Sequence, residues 1–255
     1  MGDRLAGRVS VVTGAGSGIG LATVRRLAAE GARVVCVDID AGPGRAAAWE
    51  VDGDFVECDV ADEAAVRELF DGVAARHGRI DIAVNNAGIS PPGDDPVRTA
   101  GPDARERVIK AIAGSLHLCC RYVIPHMLRQ GGGSIVNTAP FLAPADAATP
   151  QIASAAREDA VLALTRELGV EFARQGIRVT AVRPGPVATG PLAEPSAADP
   201  ERAARRLAHV PMGRFGEPTE IAAAIAFLAS DDASFMTAAQ LVVDGGITGA
   251  HVTPR

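Results

Sequence analysis

Apolar positions along the chain follow two alternating rhythms. Short runs at 8–13, 33–37, 54–58, 80–84, 134–138, 177–182 and 240–243 are dense in β-branched residues, as strands buried on both faces are. Between them, apolar residues recur at helical spacing over 19–29, from the turn-rich 40–44 through 49, over 62–77, 103–129, 151–174 and 217–229. Asp62 stands where an N-cap is needed, with Val66, Leu69, Phe70 and Val73 on the apolar face behind it, and Pro125 predicts a kink in the long 103–129 helix. Strand and helix alternate throughout. The pattern predicts an α/β protein: one domain over 1–255, a doubly wound, mostly parallel sheet of about seven strands with helices on both faces. Residues 91–101 read as a polar, proline-rich loop, and about 190–212 as a lid-like segment with a short helix inside it. A ligand crevice is expected at the carboxyl ends of the strands.

The first strand opens into Gly14, Gly16, Gly18 and Gly20, and a helix follows at once. Strand, glycine turn and helix bring backbone N–H groups and a helix N-terminus to one point, where a pyrophosphate is favoured. Glycine turns also serve tight packing with no ligand. Here, however, the second strand ends in Asp38, about 20 residues beyond the turn, where a carboxylate can accept both hydroxyls of a ribose. The pair of features points to a dinucleotide.

Composition narrows the classes. The 255 residues can bury one large core, and 47% hydrophobic residues with 28 glycines suit a compact α/β protein. A net charge of −6 argues against a nucleic-acid partner. No apolar run reaches the length of a membrane span and the N-terminus lacks a signal-peptide pattern, so no membrane partner and a cytoplasmic location are expected. Cys36, Cys58, Cys119 and Cys120 lack metal-ligand spacing and read as buried, reduced thiols; no metal site is predicted.

The chain resembles the short-chain dehydrogenase/reductase family over nearly its whole length. Thr13-Gly14-Ala15-Gly16-Ser17-Gly18-Ile19-Gly20 matches that family's cofactor loop, Asp59-Val60 its adenine contact, and Asn86-Ala87-Gly88 the motif after the fourth strand. Pro184-Gly185 with Val187 and Thr189 looks like the segment that holds the nicotinamide carboxamide. Gly213-Arg214, Pro218, Glu220-Ile221-Ala222, Phe227-Leu228 and Asp244-Gly245-Gly246 resemble the C-terminal signature. The resemblance implies a Rossmann fold, NAD-dependent hydride transfer on an alcohol or carbonyl of a small molecule, and a homo-oligomer, a tetramer on the long fourth and fifth helices, while the alanine- and proline-rich pocket loops suggest an apolar substrate. Asp38 followed by Ile39, with no arginine for a 2′-phosphate, implies NAD over NADP.

The family's proton-handling residues are a different matter. Its members use a Tyr-x-x-x-Lys pair, a serine in the preceding loop and an asparagine on the fourth helix. Anchored on Thr165-Arg166-Glu167-Leu168, those positions fall on Ser154, Glu158, Pro140 and Ile112. No shift of register restores the pair, because the chain has a single tyrosine, Tyr122, and a single lysine, Lys110, in the wrong order on the fourth helix. A tyrosine there exchanges the proton, and losing such a group typically costs about 10²–10⁴ in rate. Asp146 is a speculative replacement, while His117 and His209 read more simply as surface or structural residues. Ordinary dehydrogenase activity is therefore doubtful on sequence grounds. The alternatives are a non-redox enzyme (isomerase, cyclase or lyase) reusing the pocket, or an NAD-binding pseudoenzyme. Glu158 carries two open readings: it faces the cofactor and favours oxidised NAD, or it turns away or pairs with Arg157 or another arginine.

Overall fold

Each strand sends successive side chains into two different apolar layers, and this alternation builds the molecule. The computed structural model describes residues 2–88, 114–139, 152–189 and 207–249, with side chains of the third stretch from 158 onward. The elements are β1 (Val9–Thr13), α1 (Gly18–Ala29), β2 (Arg33–Asp38), α2 (Ala41–Glu50), β3 (Asp54–Glu57), α3 (Glu63–His77), β4 (Ile82–Asn85), α4 (Ser115–Gln130), β5 (Gly133–Thr138), α5 (Ile152–Glu171), β6 (Ile177–Pro184), α6 (Pro218–Ala229) and β7 (Gln240–Val243). All seven strands are parallel, in the order β3-β2-β1-β4-β5-β6-β7.

Val11, Val35, Val37, Ala83, Ile135, Val179 and Ala181 face one layer, where α3, α4 and α5 contribute Phe70, Val123, Met127 and Val161. Val12, Cys36, Val84, Val136 and Val182 face the other, under α1, α2 and α6. From β1 the chain runs outward through β2 and β3, then crosses back to β4 beside β1. That reversal leaves a crevice at the carboxyl ends of β1 and β4, because the connections there diverge to opposite faces.

The helix ends follow from local chemistry. Asp62 accepts from the N–H groups of Ala64 (2.8 Å) and Ala65 (3.1 Å), as expected of it, and Gly78 closes α3 at φ +74°. Asp40 caps α2 through Gly42 N–H at 3.1 Å. Pro125 lies within α4, while the expected start of that helix near 103 and the 91–101 loop lie outside the described residues.

The larger boundary shifts are at β4, β6 and α5. β4 begins at Ile82 rather than Ile80, because the buried Asp81 carboxylate holds the Val9 N–H (2.8 Å) and Arg79, and the Gln130 side chain takes both Ile80 backbone groups. β6 continues to Pro184, its last pairing being with Val243. α5 stops at Glu171, where a tight turn, Ala173–Gln175, leads to Gly176 at φ +79°. The four cysteines are free and buried. Burial pushes the Cys36 and Cys120 thiols up to about 12 and Cys58 to about 11, so they stay protonated and unreactive. No described helix is long and apolar enough to cross a membrane.

Candidate functional site

Thr13, the last residue of β1, ties the crevice together. Its hydroxyl accepts from the N–H groups of Asn86 (3.1 Å) and Ala87 (3.0 Å) and donates to the Val84 carbonyl (3.3 Å). Asn86 returns the contact through Nδ2, which donates to the carbonyls of Thr13 (3.2 Å) and Gly14 (3.4 Å). The glycine turn and the Asn86-Ala87-Gly88 segment thus form one hydrogen-bonded floor.

The glycines are needed by geometry. Gly14 and Gly18 have φ of +65° and +53°, which favours glycine. A Cβ on Gly20 would lie 1.8 Å from the Gly14 carbonyl oxygen, and one on Gly14 3.0 Å from Ala87 Cα. One on Gly18 would stand 3.2 Å from Thr189 Cγ2, so Thr189 comes over the turn from the far side of the crevice. Ser17 precedes α1 without a side-chain cap, and no acidic residue occupies the first turn. The leading N–H groups of that helix are therefore not neutralised from within it.

Asp38 closes the crevice at the end of β2. Its Oδ2 accepts from Gly16 N–H at 2.8 Å and its Oδ1 from Asp40 N–H at 3.0 Å. Each oxygen keeps a lone pair for a ribose hydroxyl. Ile39 is exposed beside it, Asp59 is exposed and accepts from Ala61 N–H at 2.9 Å, and Val60 is half-buried. On the far side, Pro184 and Val187 are buried. Gly185 donates to the Val243 carbonyl at 2.8 Å, with Asp244 Cα so near that a Cβ would meet it at 2.5 Å. Val187 is bridged to Gly216.

Between these ends lies a cavity of about 20 Å³ lined by Thr13, Val60, Asn85, Ala87, Ser115, Leu116, Cys119, Thr138 and Val161. Asn85 Oδ1 and Thr138 Oγ1 on its wall are buried with no partner among the described residues. Asn85 Nδ2 donates to Asn137 Oδ1 (2.9 Å), and Asn137 Nδ2 to Thr165 Oγ1 (2.9 Å), fastening β4, β5 and α5. A glycine cradle, a free helix N-terminus and orphaned polar atoms together fit a dinucleotide.

Comparison with known proteins agrees with this geometry. A family model described as enoyl-(acyl carrier protein) reductase matches residues 14–248. The chain is 43% identical to cis-4-hydroxycyclohexanecarboxylate dehydrogenase of Sinomonas cyclohexanicum, over 97% of this chain and 99% of that one. The chain belongs to the short-chain dehydrogenase/reductase family. Another relative, L-fucose dehydrogenase of Bos taurus, is 40% identical over 96% of this chain and 91% of its own. The crystal structure of levodione reductase superposes with a TM-score of 0.86 at 36% identity, covering 97% of this chain and all, 100%, of the other. Short-chain dehydrogenases use nicotinamide cofactors, and relatives of this chain are named dehydrogenases, D-threitol dehydrogenase of Mycolicibacterium smegmatis among them.

Of the positions aligned with the family's proton-handling residues, Ile112 and Pro140 lie outside the described residues, as do Asp146 and 190–206 of the lid-like segment. Ser154 is placed on α5 by its backbone. His117 is exposed, and His209 is half-buried in a turn. The only tyrosine, Tyr122, donates to Glu63 Oε1 at 2.8 Å and leans on the core beside α3. That bond pushes its pKa up, so the hydroxyl stays protonated.

Glu158 is buried, and its Oε1 accepts from Arg183 Nε at 2.9 Å and from Nη2 of the same guanidinium. Of the two readings of Glu158, pairing with an arginine is the one realised. The described partner, Arg183, comes from β6. Sequence reasoning passed over Arg183. Its signal was strand parity: Ile177, Val179 and Ala181 share one buried face of β6, and Arg183 is the next position on it.

Proposed function

We propose that the protein binds NAD(H) in this crevice and moves hydride between the cofactor and an alcohol or carbonyl group of a small, largely apolar substrate, with a group other than tyrosine handling the proton. The Thr13-pinned glycine turn beside Asp38 supports this reading most directly, because backbone N–H groups at a helix N-terminus suit a pyrophosphate and the neighbouring carboxylate can accept ribose hydroxyls. Bound NAD would supply the hydride acceptor. The chain's own residues do the rest. The α1 amides and Ser17 hold the pyrophosphate, Asp38 takes the adenosine ribose and opposes a 2′-phosphate, and Ile39, Asp59 and Val60 border the adenine. Asn86, Ala87 and Gly88 form the floor, and Pro184, Gly185, Val187 and Thr189 wall the nicotinamide.

The relatives' names set the test. NADH formation is followed with cyclic hydroxy acids, sugars and tetritols beside simple alcohols, and NADH consumption with simple ketones. At least one compound of the first group is expected to turn over, and simple alcohols to fall below about 1 s⁻¹. Binding of NAD with no turnover anywhere would favour the second reading, an NAD-binding pseudoenzyme or a non-redox isomerase, cyclase or lyase. The lack of a Tyr-x-x-x-Lys pair motivates that reading. A cytoplasmic location fits four free, buried thiols. A homotetramer fits exposed Val170, on α5, and exposed Phe235 and Val242. Sedimentation is expected to give a tetramer at micromolar concentration, and a monomer would refute it.

A further inference from the structure

Among the described residues, Glu30, Asp81 and Glu158 are the buried carboxylates, and they are not alike. Glu30 uses both oxygens on Arg4 and Arg26, and Asp81 uses both on Arg8, Arg79 and the Val9 N–H. Those two clusters lie at the amino ends of the strands and are closed. Among the described residues, Glu158 instead meets one cation through one oxygen, at the carboxyl end of β6. Arg183 Nη1 has no partner among the described residues, and 23% of the Arg183 side chain is exposed. The other acidic residues of α5 (Asp159, Glu167 and Glu171) are exposed, so Glu158 alone is turned inward.

Burying an ion pair is weak evidence of a stabilising role, since an apolar pair of the same volume often does as well. An open pair in a ligand crevice is a candidate for work on the ligand. Its place suits the nicotinamide half. Asp38 fixes the adenosine end over β2, the glycine turn of β1 lies between, and Arg183 immediately precedes Pro184-Gly185 on the opposite side of β4. Val161, one turn after Glu158, lines the same cavity as Thr13 and Ala87.

We infer that Arg183 and Glu158 form a neutral charge couple beside the nicotinamide end of the cofactor, in which Arg183 donates through Nη1 to the nearer ribose and Glu158 holds the guanidinium in place. The inference rests on the NAD(H) reading above. It assigns a positioning role to a strand residue and gives the couple control over the balance between the two redox forms. The oxidised ring carries a positive charge that the reduced ring lacks. With both partners present their fields largely cancel; with one removed, the survivor acts on the ring alone.

The test is the ratio of NAD⁺ to NADH dissociation constants, measured by calorimetry at mildly alkaline pH. Glu158→Gln leaves an uncompensated cation and is expected to raise the ratio about three- to tenfold. Arg183→Gln leaves a carboxylate and is expected to lower it by a similar factor. The double variant is expected to return within about twofold of the native ratio. Arg183→Lys keeps the charge without the fork, so it should hold the ratio while weakening both forms. A purely structural pair would weaken both forms equally in every variant. Single variants that move the ratio in one direction, or by less than about twofold, overturn the inference alone. Failure of the native protein to bind either form overturns the NAD(H) reading as well.

Discussion

Thr13 makes the sharpest statement at the scale of one residue. Its hydroxyl satisfies two N–H groups at the start of the Asn86-Ala87-Gly88 segment, and no other side chain among the described residues duplicates it. Thr13→Val keeps the volume but leaves those donors unpaired. The variant is expected to lose about 1–3 kcal/mol of stability in urea unfolding and to bind NAD more weakly. Thr13→Ser, which keeps the oxygen, should recover most of both. At this scale the sequence showed what lies close along the chain and hid what does not. Asp38 was legible because its distance from the glycine turn is set by one strand–turn–helix unit. The Arg183 partner of Glu158 was not, because strand parity says which face a side chain takes and never which helix residue it will meet.

Among the elements, the strand–turn–helix at β1–α1 tolerates least. Gly20→Ala would drive a methyl to 1.8 Å from the Gly14 carbonyl oxygen, so the turn must open and NAD binding is expected to be abolished in calorimetry. Gly72 is the contrast: it is exposed within α3 and a Cβ there would meet nothing within 4 Å. Gly72→Ala is expected to raise stability by about 0.5–1 kcal/mol and leave binding unchanged. The order of elements was readable throughout the described residues because strand and helix periods differ and alternate. Two of the boundaries that moved did so through tertiary contacts. Asp81 and Gln130 displace the start of β4, and β7 draws β6 out to Pro184.

Over the whole molecule, the carboxyl end of the sheet is joined to the C-terminal signature, and this has a pH consequence. Arg214 binds both oxygens of Glu220 at 2.8 Å, and Glu217 N–H donates to Oε2 at 2.8 Å. The guanidinium first, and then the backbone donor, hold the Glu220 carboxyl down at about 2. A depressed folded-state value stabilises the native protein above the ordinary carboxylate range, and the gain is lost as pH falls through that range toward about 2. Asp244 adds to the same acid-side loss. Burial works against its charge, but bonds from Thr248 and Gly246 outweigh burial and lower its pKa. The Glu220 pair is exposed and screened by solvent, so its share is small. Urea midpoints measured against pH should fall less steeply at acid pH in Glu220→Gln than in the native chain. Equal slopes would show that the pair does not contribute.

The proposed activity requires that the crevice bind NAD. Calorimetric titration of the native protein with NAD(H) and NADP(H) tests that most directly. Saturable binding of NAD(H), with NADP(H) at least about tenfold weaker because the Asp38 carboxylate repels a 2′-phosphate, is the predicted result. Equal or tighter binding of NADP(H), or no binding of either, would contradict it.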